Sequence, residues 1–228
     1  YEIGVRLVGS EMCIRDRAKA IITEEQITSA LNKCYDMALG GLPKTQSCYE
    51  FAEHYMEKYE DPNKAVSEFV KWQVAKCSTS GFLTSLGGII TMPVAIPANL
   101  TSVIYVQLRM IATIAIIGGY NPSDDEVQSL AFLCLTGASM SKVCREAGIK
   151  FSTKLTTSMI KKIPGEALKK INQKVAQRFI TKFGTTGIIN LGKMVPVVGG
   201  VVGAGFDFVG TNVIAKKSRQ VFLDGVIE

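Results

Sequence analysis

The sequence predicts an all-α protein, folded as a single compact, bundle-like helical domain. Three observations lead there. Helix-start signatures recur along the chain. Behind them, apolar residues keep the i, i+3, i+4, i+7 rhythm of one helix face. No stretch alternates apolar and polar residues between hairpin turns, as half-buried strands do. The 228 residues suffice for such a domain with a sizeable core. A 47% hydrophobic share against 20% charged residues argues against disorder.

Taken in order, Thr23-Glu24-Glu25-Gln26 fits a capping box, in which the Thr hydroxyl and the Gln side chain each satisfy an orphan amide. Ile27, Ala30, Leu31, Cys34 and Ala38 then line one face, and Gly40-Gly41 and Pro43 stop the helix. Ser47-Cys48-Tyr49-Glu50 is a second box, opening a helix with Phe51, Tyr55, Met56 and Tyr59. Asp61-Pro62 places a cap before Pro at the first helical position, and Val66, Phe69, Val70, Gln73 and Val74 follow. Between Lys76 and Arg109 there is no charge, and Pro93 and Pro97 divide the span. Asn99–Ile117, NLTSVIYVQLRMIATIAII, is expected to be one helix ended by Gly118-Gly119. Ser123-Asp124-Asp125-Glu126 reads as a third box, whose helix carries Val127, Leu130, Cys134 and Ala138. Helices are then expected near 149–163 and 165–182, separated by Pro164-Gly165. The last low-charge segment, Met194–Ala215, holds Gly199, Gly200, Gly203, Gly205 and Gly210, with Asp207 its only charge. Two apolar Gly/Pro-containing helical segments, about 81–119 and 194–215, thus form the expected centre.

The first seventeen residues, YEIGVRLVGSEMCIRDR, resemble translated sequencing-adapter read-through. They are expected to be non-native, leaving one domain over 18–228. Six cysteines without a CxxC pair, mostly among apolar neighbours, suit buried reduced thiols better than a disulfide framework. A single histidine, His54, makes an ordinary His/Cys zinc site a poor reading.

The strings WQVAKCSTSGFLTSLGGIITMPVAIPANLTSVIYVQLRMIATIAIIGGY and INQKVAQRFITKFGTTGIINLGKMVPVVGGVVGAGFDFVGTN are similar to the EcsC protein family. The resemblance runs from about residue 25 to the C-terminus. That family's founding member is encoded beside the subunits of an ABC transporter linked to protein secretion and regulated proteolysis. The resemblance implies a neighbourhood and supplies no catalytic residue.

On a helical wheel, Ser102, Tyr105, Arg109 and Thr113 fall on one side of the long apolar helix, and Gln107 sits within the apolar side. A lone lipid-facing arginine near mid-span costs about 2.5–3.5 kcal/mol even on the permissive insertion scale. A central core helix with a polar stripe is therefore preferred to a membrane-inserted hairpin over Gly81–Gly119. Gln107, Arg109 and Asp207 are the candidate buried polar residues, with an Arg109–Asp207 pair suggested if the two apolar segments pack together. Gly199 and Gly203 are spaced four apart, as are Gly200 and Ala204, and these glycines are candidates for close helix packing.

The net charge of +6 is concentrated: Lys150–Lys182 holds nine basic residues and one acid, Glu166. There Leu168, Ile171, Val175 and Phe179 form an apolar stripe, beside a row of Lys170, Lys174, Arg178 and Lys182 at i, i+4. Such a row reads either as the solvated face of a packed helix or as a binding surface for anionic lipid or a membrane protein. No nucleic-acid partner is expected, because few aromatics interleave the row for stacking. Enzyme signatures are thin. Glu50 and His54 share a helix face, but no second Glu-x-x-His completes a di-metal site. No catalytic residue, metal or cofactor is assigned.

The expected function is a non-enzymatic accessory at the cytoplasmic membrane face, associated with ABC transport or protein secretion. It would be peripheral on the inner membrane or partly inserted in it. The alternatives are a soluble helical interaction module that binds a protein partner or an apolar ligand and, third, an unrecognised hydrolase or metalloenzyme.

Overall fold

The computed structural model describes residues 23–43, 45–77, 98–149, 155–183 and 201–226; the side chains at 76–77, 98–100, 182–183 and 201–209 lie outside the described residues. The described elements are all helical: α1 (Glu24–Gly40), α2 (Cys48–Lys58), α3 (Pro62–Cys77), α4 (Ala98–Ile117), α5 (Asp125–Leu135), α6 (Met140–Glu146), α7 (Thr157–Ile160), α8 (Gly165–Phe183) and α9 (Val201–Phe222). Among the described residues there is no strand, only an isolated bridge at Val226.

Local chemistry explains where these helices start. Two of the three capping boxes form: Gln26 donates its backbone N–H to the Thr23 hydroxyl, and the Gln26 side chain accepts from the Thr23 N–H. Ser47 and Glu50 do the same for α2. The Asp61 carboxylate accepts the Asn63 N–H at 3.0 Å in front of α3.

Two boundaries differ from expectation. The box at Ser123 does not form. Asn121 accepts the Ser123 N–H and donates to the Asp124 carboxylate at 2.8 Å, which moves the N-cap to Asp124, with no side-chain capping bond. The helix behind it ends at Leu135 rather than carrying Ala138, because Gly137 turns the chain with φ +68°. Ser139 then caps a separate short helix, α6. The helix expected near 149–163 is reduced, among the described residues, to the single turn of α7.

Helix α4 lies at the centre and packs on α1, α2, α3, α5 and α9. It is buried almost all round: Ile104, Leu108, Met110, Ile111 and Ile114 are core residues, and so are the polar Thr101, Ser102, Gln107, Arg109 and Thr113. A helix buried on every side belongs in the middle of a bundle. Each large apolar side chain buried there contributes about 1.5–3 kcal/mol. Its C-terminus closes against α9, where Gly118 lies against the Phe222 carbonyl so closely that a Cβ would overlap it. Helix α9 also packs on α3 and α5, and α8 packs on α1, α5 and α6. The long α9 runs unbroken through Gly203, Gly205 and Gly210, so these glycines are helical. Gly199 and Gly200 lie outside the described residues.

Candidate anionic-surface interface

Helix α8 is amphipathic in the plainest sense. Ala167, Ile171, Val175, Ala176 and Phe179 are buried against the rest of the bundle, and Leu168 is half-buried. The opposite side carries Lys169, Lys170, Gln173, Gln177 and Arg178, all exposed. The apolar stripe is therefore spent on the core and is not free to enter a bilayer.

The basic row is not uniform. Lys170 and Arg178 project into solvent. Lys174, midway between them, forms an ion pair with Glu146 at the end of α6. Both side chains keep a third or more of their surface exposed, so the pair adds little to stability, but it ties α6 to α8. Lys142 lies one turn before Glu146 on α6, on the same side, and extends the basic surface past the pair. Lys182 continues the row along the backbone of α8, with its side chain outside the described residues. Lys161 approaches the Asp124 carboxylate at 3.9 Å from an exposed position.

On the other flank, α8 and α1 enclose an open groove of about 810 Å³. Glu24, Asn32, Lys33 and Asp36 of α1 face Lys169 and Asn172 of α8 across it, so the lining is polar. Gln177 donates to Glu24 at 3.0 Å at one end. The Oδ1 of Asn172 is enclosed and accepts no hydrogen bond.

In the core, Gln107 is 8% exposed and donates to the Thr211 hydroxyl at 3.2 Å, linking α4 to α9. Arg109, 4% exposed, lies on the other side of α4. Its guanidinium carbon sits 4.3 Å from the centre of the Phe51 ring on α2. Of the suggested Arg109–Asp207 pair, Arg109 faces α2, and α9 packs on the Gln107 side of α4. The Asp207 side chain itself lies outside the described residues.

Cys34, Cys48, Cys134 and Cys144 are free and buried. Burial pushes the thiols of Cys34, Cys48 and Cys134 up to about 12, and that of Cys144 to about 11, away from reactive thiolate. For Cys48, a hydrogen bond from Thr113 and the nearby Arg109 charge pull the other way and lose to desolvation. Glu50 is engaged in its capping box, where the Ser47 N–H and hydroxyl hold its carboxyl below the usual range. His54 is exposed with its ring edge-on to Tyr55. Among the described residues, no group of three or more His, Cys, Asp or Glu side chains is placed to hold a metal ion. Nor, among them, is any helix long and apolar enough to cross a membrane.

Sequence reasoning identified α8 and its basic row from spacing alone. It missed Glu146 and Lys142, because nothing in the local pattern marked α6 as a helix lying beside α8. No curated protein and no solved structure matches the chain significantly. A family model, the EcsC protein family, matches residues 14–223. That match covers most of the sequence, the central α4 and the basic α8 included, and the chain belongs to the EcsC protein family.

Proposed function

We propose that this EcsC-family protein is a non-enzymatic accessory that attaches peripherally to an anionic membrane surface, at the cytoplasmic face, in the service of ABC transport or protein secretion. The observation that carries the reading is the division of α8, with its apolar stripe in the core and Lys170 and Arg178 in solvent, flanked by Lys142. A surface of this kind binds by charge, without insertion. Each basic residue near an anionic leaflet contributes about 1 kcal/mol, and the attraction weakens as salt screens it.

Flotation of the full chain with vesicles tests this. Binding to vesicles rich in phosphatidylglycerol, absent with pure phosphatidylcholine and released by high salt, is the expected result. Neutralising both Lys170 and Arg178 to Gln should weaken binding roughly 30-fold, the equivalent of about 2 kcal/mol. Binding that survives high salt, or that the double substitution leaves unchanged, sinks the mechanism.

The polar groove between α1 and α8 favours a second reading, an interaction module that takes a polar segment of a partner protein. Cell fractionation separates the two. Membrane recovery released by salt supports the lipid reading, and recovery in the soluble fraction at low salt without detergent supports the module.

A further inference from the structure

Two buried side chains on α4 hold more hydrogen-bond donors than the described residues match. Arg109 has five N–H donors and makes one hydrogen bond among the described residues, from Nη1 to the Tyr105 hydroxyl oxygen at 3.4 Å. Its Nε is enclosed and finds no acceptor. Tyr105 is fully buried. Its oxygen accepts from Arg109, so its own proton needs another acceptor, and no hydrogen bond within the described residues takes it. The faces of Phe51 and Tyr105, at 4.3 and 6.0 Å, attract the positive charge without offering an oxygen to its N–H groups. None of the ion pairs among the described residues includes Arg109. Helix α9 meets α4 on the opposite side, where Gln107 bonds Thr211.

A buried cation is ordinarily paired and hydrogen-bonded, because its charge is expensive to remove from water. A guanidinium and a phenol whose remaining protons find no acceptor among the described residues are a matched set for a single oxyanion. The planar fork suits two oxygens and the phenol donates to either. We propose that Arg109 and Tyr105 form an oxyanion-binding site between α2 and α4, taking a phosphate or carboxylate group. The group would come as free phosphate or as the head of an amphiphile, the latter suited to the Phe51 ring beneath the guanidinium and to Phe69 and Trp72 packed on that ring. This site is distinct from the basic surface of α8.

Thermal unfolding of the full chain, titrated separately with inorganic phosphate and with decanoate at constant ionic strength, tests the proposal. A saturable rise of the midpoint, roughly 5–10 °C at a hundredfold excess over Kd, is expected with one or both anions. Which anion acts identifies the source. The rise should persist in a Lys170→Gln, Arg178→Gln variant, vanish in Arg109→Met and shrink in Tyr105→Phe, which removes one oxygen from an otherwise intact ring. No rise with either anion overturns the site, as does a rise that Tyr105→Phe leaves intact together with Arg109→Met. Should Arg109→Met not fold, Tyr105→Phe alone decides.

Discussion

Replacing Gly118 and Gly210 by alanine, one at a time, should move stability in opposite directions. Neither residue has a positive φ, Gly210 lying inside α9 and Gly118 in the turn just past α4, so the usual gain from removing a glycine applies to each. Gly210 lies inside α9 with no atom within 4 Å of where a Cβ would stand, and alanine there should gain about 1 kcal/mol. At Gly118 the same Cβ overlaps the Phe222 carbonyl oxygen. That oxygen belongs to the backbone and cannot rotate away, so the ends of α4 and α9 must separate. Overpacking of this kind costs about 1–3 kcal/mol, more than the propensity gain returns. For a domain of this size, each kcal/mol shifts the midpoint by about 2–4 °C. Gly210→Ala should therefore melt about 2–4 °C above the parent, and Gly118→Ala several degrees below it. Thermal melts followed by circular dichroism, with urea unfolding to check that the m-value is unchanged, measure both. A Gly118→Ala protein as stable as the parent would refute the close approach of α4 and α9.

Other expectations follow from the core and the caps. Gln107→Leu strands the Thr211 hydroxyl and should lose about 1–3 kcal/mol in urea unfolding, with Gln107→Leu, Thr211→Val recovering part of the loss. Ile114→Ala, at a fully buried position on α4, should lose about 2–5 kcal/mol by the same measurement. Ser47→Ala removes a formed capping box and should cost about 0.5–2 kcal/mol, while Ser123→Ala, where no box forms, should be close to neutral. The buried thiols make stability fall in alkali. Below pH 9.0 folded and unfolded chains both keep the Cys48 and Cys134 protons. Between 9.0 and about 12 only the unfolded chain releases them, so the unfolding free energy should decline across that window. Urea midpoints taken below and above pH 9.0 check the direction, and a Cys48→Ala, Cys134→Ala variant should show a shallower decline.

Features set by neighbours a few residues apart were legible in the sequence. The boxes at Thr23 and Ser47 depend on a three-residue spacing and formed as read. The box at Ser123 failed because Asn121, two residues upstream, takes the Ser123 N–H that Glu126 would have accepted. Helix α6 escaped notice because Lys142, not Glu or Gln, stands three residues after its Ser139 cap. The stripe Ile171, Val175 and Phe179 announced which side of α8 is buried, but its spacing held no information about Glu146. The same limit applies to Arg109. Its polar stripe was visible on a helical wheel, yet the Phe51 ring beneath the guanidinium comes from a helix far earlier in the chain. Contacts between distant segments are decided by packing, and periodicity reports only which face will pack.

The hydrogen bond between Gln107 and Thr211 spans 104 residues of sequence. On a ribosome moving at roughly 5–20 residues per second, the amide waits about 5–20 s for its acceptor to be made. Throughout that time one side of the central helix has no α9 to cover it, while α1, α2 and α3 are already present for the other sides. The nascent chain thus passes through a stage with its most apolar helix half-clothed. That makes synthesis the interval in which this protein most needs a chaperone, and it makes slow translation across α5–α8 a hazard for its yield.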